Sequence, residues 1–423
     1  MKHLFFAFRT PGSERTSCKT FAQNTTRSMR SGDCAQNRRS GLAACPFYPV
    51  TLQKSKCEDL LYICTNIYLD MTTKNIATIL QKKITLILDE EKSLLYAYIK
   101  QPLDGIDIKE WSQLIIKCCE LLDMSSSKDQ INNILDSYNE FTNKHPRHYG
   151  YKQKVAYHIS KELLRVHKDN LAATYINDYL YNAIAKEAKL QDPQIYNNEY
   201  FSFRSFSQYA LLDIENESIS FAHPREFNDP LDTYFNLWLN SKIRLSKEQS
   251  DIDFFSFLKK TAEHIKLRCL IHNQNSEFNK LPLLMWSHYA DCHKGFCVKY
   301  KFSEEFFKCD SNTKSPLLML KDVDYVEFLK IQDSLDIKKA LFTKSKDWRY
   351  ENETRLLYYD INDIQTFPTI SFKGCIQAIY LGLRVTEENR RRMEVAIGDK
   401  NIPLYQMQID DTDLTNLKLI RIG

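Results

Sequence analysis

LLMWSHYADCHKGFCVKY, residues 283–300, changes its period halfway through. In the first half Met285 and His288, and likewise Trp286 and Tyr289, stand three apart, the spacing of neighbours on a helix. In the second half Phe296, Val298, Tyr300 and then Phe302 alternate with Cys297, Lys299 and Lys301, which reads as a half-buried strand. Pro282 suits the first turn of the helix, which is expected to end near Asp291 with Gly295 taking positive φ at the exit. His293 and Lys294 then lie by the helix carboxyl end, where positive charge is favourable. The stretch is a helix-to-strand corner, expected to build one wall of a pocket.

Upstream the grammar is helical. In DIKEWSQLIIKCCELLDM, Ile108, Trp111, Ile115, Cys118, Cys119 and Leu122 recur at helical offsets, and Asp107 with Glu110 has capping-box spacing. Ser127 and Gln130 repeat that spacing, and KQKVAYHISKELLRV sets Val155, Ile159, Leu163 and Val166 on one face. Gly105 and Gly150 are expected between helices. His145, His148, His158 and His167 read as surface or core residues. AKLQDPQIYNNEY, residues 188–200, breaks the period, and beyond it short strands and helices mix without a strict βαβ rhythm. The expected class is therefore α+β: an all-α domain at 71–190, then a mixed domain at 196–423 with a mostly antiparallel sheet.

The chain has 423 residues and a net charge of +4. Residues 1–70 hold ten Lys and Arg against five Asp and Glu, so residues 71–423 carry −1. That balance gives no field for a nucleic-acid backbone. Residues 1–70, with Cys18, Cys34, Cys45, Cys57 and Cys64 among polar residues, read as disordered, as sequence ahead of a start at Met71, or as a transit peptide. Only five apolar residues, Leu4 to Phe8, precede Arg9, short of a secretory signal, and no apolar run is long enough for a membrane span. None of the 12 cysteines forms a C-x-x-C pair, which removes zinc ribbons, and a reducing cytoplasmic location is expected. No metal site and no certain cofactor are expected, and the partner of the helical domain is left open.

KSKDWRYENETRLLYYD, residues 344–360, holds the second constellation. If the chain is extended from Glu351, then Glu351, Glu353 and Arg355 share one face and Thr354, Leu356 and Tyr358 the other. Such a row either faces solvent as a weak ladder or lines a cleft where close carboxylates acquire different acidities. Lys344, Trp348 and Tyr350 precede it, and Trp348 and Tyr350 offer stacking surfaces. Asn228 and Asp229 of the turn phrase PREFNDP join the candidate ligand-binding set, with Trp286, His288 and Tyr289. A metal-dependent nuclease would need Asp229, Glu351 and Glu353 to meet. A Cys–His nucleophile would need Cys292 or Cys297 beside His288, and neither opens a helix. Glycine-rich dinucleotide and phosphate loops are absent.

FRSF, ISFAHPREFNDPLD, KLRCL, LLMWSHYADCHKGFCVKY, VDYVEF, TKSKDWRYENETRLL and IYLGLR, in this order, resemble the bacterial family known as domain of unknown function 2971, over about residues 200–385. MWSHYA-x-x-HKG and W-x-Y-E-x-E-x-R carry the resemblance; Leu270 stands where that family often has Phe. A looser similarity, to ADP-ribosyltransferase-like enzymes, rests on Arg204, Ser220 and Glu351-x-Glu353. It implies Arg204 on a diphosphate, Ser220 by the nicotinamide ribose, Glu353 on a ribose hydroxyl, and NAD as substrate. The reading that follows is an effector, suited to defence or toxicity, that binds a nucleotide-like ligand for ribosyl transfer or glycosidic cleavage. The alternatives are a non-catalytic ligand sensor acting through the helices, and the nuclease.

Overall fold

The computed structural model describes residues 75–423 apart from 101–104, 228, 230–231, 233, 273–282, 309–315, 328–336, 364 and 413–416. The readings of residues 1–70, Met71, Asn228 and Pro282 fall outside the described residues. Helices come first: α1 (Asp89–Tyr98), α2 (Ile108–Glu120), α3 (Lys128–Lys144), α4 (Tyr149–Arg165) and α5 (Asp169–Lys189). The Asp107 carboxylate accepts from the amides of Lys109 and Glu110 to start α2, and Ser127 and Gln130 cap α3 reciprocally. Gly150, expected in a linker, is the second residue of α4. Trp111 is buried in this array, its indole nitrogen donating to Ser137 Oγ at 3.0 Å and its ring meeting Phe141 edge-on.

The strands follow as β1 (Tyr200–Arg204), β2 (Ser218–Ser220), β3 (Ile265–His272), β4 (Phe296–Tyr300), β5 (Leu317–Asp322), β6 (Asp324–Val326), β7 (Thr343–Ser345), β8 (Glu353–Tyr359), β9 (Thr369–Ser371), β10 (Ile376–Leu381), β11 (Leu404–Ile409) and β12 (Leu417–Arg421). Among them lie α6 (Gln208–Glu215), α7 (Tyr234–Leu245), α8 (Gln249–Thr261), α9 (Leu283–Tyr289), α10 (Ile337–Leu341) and α11 (Glu387–Ile397). Eight strands form one sheet in the order β12-β11-β10-β4-β1-β3-β8-β5, in which only β10 and β11 run parallel. The class is α+β, as the mixture of periods implied. No helix among the described residues is long and apolar enough to cross a membrane.

Strand alternation sorts the core. Leu267, Met319 and Leu357 face the helical array and share its core with Phe235 and Trp238 of α7 and Leu258 of α8. On the same face but farther along, Phe201, Phe203 and Cys297 pack under Met285 and Trp286 of α9. On the opposite face Tyr200, Val298 and Leu356 pack with Ile214 of α6 and Met393 of α11. Strand β4 is therefore covered on both sides, where the alternation had implied a half-buried strand. The polar residue on its second face, Lys299, reaches the sheet margin and pairs with Glu199 at 2.7 Å.

The corner after α9 turns by a different device from the one expected. Asp291, Cys292 and His293 take the positive φ angles, 47°, 52° and 68°. Gly295 serves close approach instead, because a Cβ there would lie 2.1 Å from the Arg204 carbonyl oxygen. His293 does not act as a cation at the helix end. Burial and the nearby Arg384 lower its pKa, and its ring stacks on Trp286 at 6.0 Å.

Candidate functional site

The site begins with a parting of strands. β3 pairs with β8 over seven residues, but with β1 only at Tyr200–His272 and Phe201–Ile271. Beyond Phe201 the two strands separate, and at the other end of the gap Ala222 exchanges backbone hydrogen bonds with Leu267. Between these two closures lies a cavity of about 260 Å³. All five consecutive residues from Leu267 to Ile271 line it. Alternation forbids that for a pocket lying over one sheet face, and an opening at the strand's edge allows it. Phe201, Phe203, Phe227 and Met285 make the remaining apolar wall, and the three hydrophobic cores meet around it.

One end of the cavity is ionic. Glu353 and Arg355 occupy one face of β8, Lys344 comes from β7, and Glu351 closes the 3-10 turn that precedes β8. Asn352, at φ 46°, turns the chain between the two glutamates. Lys344 Nζ is 2.6 Å from Glu351 Oε2, 3.0 Å from Glu353 Oε2 and 3.1 Å from Asp232 Oδ2. The Trp348 ring lies 5.0 Å from the same nitrogen. Arg355, with no exposed surface, donates from Nε to Glu353 Oε1 at 2.8 Å and from its other nitrogens to Asp232 and the Leu341 carbonyl. Tyr289 donates to Glu351 Oε1 at 2.6 Å, and the Cys269 thiol hydrogen-bonds Glu353. The Glu353 amide is taken by Tyr325 Oη at 2.8 Å.

Three carboxylates facing two cations leave this cluster one negative charge in excess when all are ionised. The two glutamates respond in opposite directions. Burial raises the Glu351 pKa, and Lys344 and Tyr289 offset it only in part. Glu353 is also opposed by burial, but the charges of Arg355 and Lys344 prevail and hold it well below the usual carboxylate range. Lys344 stays charged because Glu353, Asp232 and Glu351 outweigh its desolvation. Cys269 opens onto the cavity while protein surrounds it, and burial together with the Glu353 charge pushes its thiol well up. It is a hydrogen-bond donor here, not a nucleophile.

The row from Glu351 to Arg355 is thus buried in a network, not a solvent-facing ladder. Glu351, Glu353, Lys344, Tyr289, Trp348 and Arg355 meet at this end. Arg204 and Ser220 do not. They lie across the sheet from Glu353, where Asp213 accepts from Arg204 Nη1 at 2.6 Å and from Ser220 Oγ at 2.7 Å. The arginine–serine–glutamate arrangement of ADP-ribosyltransferase-like enzymes is therefore not assembled. Trp286 is core, edge-on to Phe203 at 4.9 Å, and His288 is exposed outside the cavity lining. Cys297 is fully buried, Cys292 sits exposed on the turn, and neither contacts His288. Asp232, three residues beyond Asp229, reaches the glutamates through Lys344 and Arg355. Among the described residues no group of His, Cys, Asp and Glu is placed to hold a metal.

Asp232, Arg268, Cys269 and the phenylalanine wall were not singled out from the sequence. KLRCL does carry a signal in hindsight, since an arginine inside an otherwise apolar strand must be paired or must face an opening.

Residues 285–356 match the model of a family described as Protein of unknown function (DUF2971). The match spans the corner after α9 and the WRYENETR phrase, and so holds Tyr289, Lys344, Glu351, Glu353 and Arg355. Asp232, Arg268 and Cys269 lie before it. No curated protein and no solved structure matches the chain.

Proposed function

We propose that this protein is a receptor for a small molecule, which it binds in the gap between β1 and β3, and that it acts as a ligand sensor. The observation that carries this reading is the cavity itself, apolar along its walls and closed at one end by ion-paired groups that hold their own geometry. Asp232 lines the cavity and stands just before α7, whose Phe235, Trp238 and Leu239 pack into the helical core. An occupant touching Asp232 therefore acts on the helices through chain continuity. All six described cysteines are free, which supports the reducing cytoplasmic location expected from the sequence.

One observation favours a second reading, cleavage of a glycosidic or ribosyl bond, NAD being the candidate substrate. Glu351, with its raised pKa, borders the cavity beside Tyr289, as a general acid would. Against it, both Glu353 oxygens are committed to cations, and Arg204 is occupied elsewhere. Incubation with NAD and measurement of free nicotinamide separates the two. The sensor reading expects no release. Release by the wild type that Glu351→Gln abolishes would overturn it and install the enzymatic one.

A further inference from the structure

Arg268 is the cavity's unexplained group. It sits on β3 beside Cys269, and among the described residues its one hydrogen-bond partner is the Ser202 hydroxyl, 2.6 Å from Nη2. No carboxylate among the described residues forms an ion pair with it. Its side chain is partly accessible and lines the cavity. Burial and the like charge of nearby Arg204 pull its pKa down to about 10, with Tyr300 and the Arg204-paired Asp213 offsetting this only in part, which still leaves it cationic at neutral pH. A guanidinium carries five donors, and a desolvated one with a single neutral partner is costly unless an anion completes it.

We propose that Arg268 anchors the anionic group of the cavity's ligand, and that this ligand is a small carboxylic acid with a flat apolar body. The proposal rests on the receptor reading above. A monoanion is specified by charge: one guanidinium balances one carboxylate but not a phosphate dianion. The body is specified by Phe201, Phe203, Phe227 and Met285, which present rings and a thioether to whatever lies between the two ends. Arg268 stands three residues along β3 from Ile271, the partner of Glu353, and on the opposite face, so a ligand that spans both ends passes through the gap between β1 and β3 over about 10 Å of strand. A ligand of that reach can offer a hydroxyl or amine donor to Glu351.

The test uses the full chain, with benzoate, neutral benzamide and inorganic phosphate as probes and thermal denaturation as the readout. Benzoate is expected to raise Tm in a saturable way and benzamide to do so weakly or not at all. Arg268→Met should weaken benzoate by about tenfold or more, as for a lost charge-assisted pair. The variant breaks no ion pair among the described residues and its unliganded Tm reads its folding directly, and Arg268→Lys should retain part of the effect. Loss of the benzoate shift in Phe227→Ala, which removes one ring of the wall, locates the bound probe in the cavity. If benzamide matches benzoate and Arg268→Met changes nothing, the anchor is wrong and the receptor reading stands. If phosphate alone gives the full shift, the carboxylic acid with an apolar body is wrong. If no probe shifts Tm, both readings fall.

Discussion

Two arginines on adjacent strands, Arg355 buried and Arg268 partly accessible, stand one register step apart and therefore on opposite faces of the sheet. Arg355 opposes Cys269 across β3 and β8, and Arg268 opposes Leu356. They differ in what surrounds them. Arg355 has Glu353, Asp232 and a backbone carbonyl on its donors, whereas Arg268 has one serine hydroxyl. A saturated buried charge holds the chain in place. An unsaturated one keeps binding capacity in reserve, and the same residue type serves either end according to its neighbours.

The contrast is broken most directly at Arg355. Its replacement by Met leaves Glu353 and Asp232 buried with only Lys344 between them, and should cost about 3–5 kcal/mol in urea denaturation. A loss below about 1 kcal/mol would mean the cluster is solvated and no different from a surface pair.

Acid titration comes next. The folded Glu353 pKa lies below its unfolded value, so its stabilisation is present above the ordinary glutamate pKa and is lost as pH falls through the folded one. Glu351 has the opposite sign. Its folded pKa is raised, so its contribution is fully present below the unfolded value and is lost as pH rises through the folded one. Glu351→Gln should therefore be no less stable than wild type near pH 7 and lose any advantage in acid, while Glu353→Gln loses stability at neutral pH. Equal behaviour of the two variants across pH 3 to 8 would erase the distinction between the glutamates.

At the other arginine the expected change in unliganded stability is small and of the opposite direction. Arg268→Met should leave the protein unchanged or slightly stabilised, because a charge with one neutral partner is removed. Loss comparable to that of Arg355→Met would show that Arg268 is also structural. The smallest effect belongs to Arg390, paired with Glu394 on the exposed face of α11 at 3.0 Å. Arg390→Ala should cost no more than about 0.5 kcal/mol and calibrates what a solvated pair contributes here.

Local rules were legible in the chain. The caps at Asp107 and Ser127, the helix through Trp286 and the strand through Val298 follow from spacing within a few residues. The shared face of Glu353 and Arg355 was legible for the same reason. What those side chains meet was not, because Asp232 lies 123 residues from Arg355 in the sequence. The parting of β1 from β3 left no trace in either strand, since the length of a register belongs to the pair and not to its members. Gly295 illustrates a third case: its position was read correctly as special, but the reason was crowding against Arg204 and not its own φ.

That crowding reaches beyond the turn. A Cβ at Gly382 would come 2.3 Å from the His293 carbonyl oxygen, just as one at Gly295 would strike Arg204. Two missing methyl groups thus let the 291–295 corner dovetail between β1 and the end of β10. A methyl at either glycine would strike backbone and not a side chain that can swing aside, so Gly295→Ala should lower Tm and loosen Tyr289 from Glu351 together, with little effect on the distant helices.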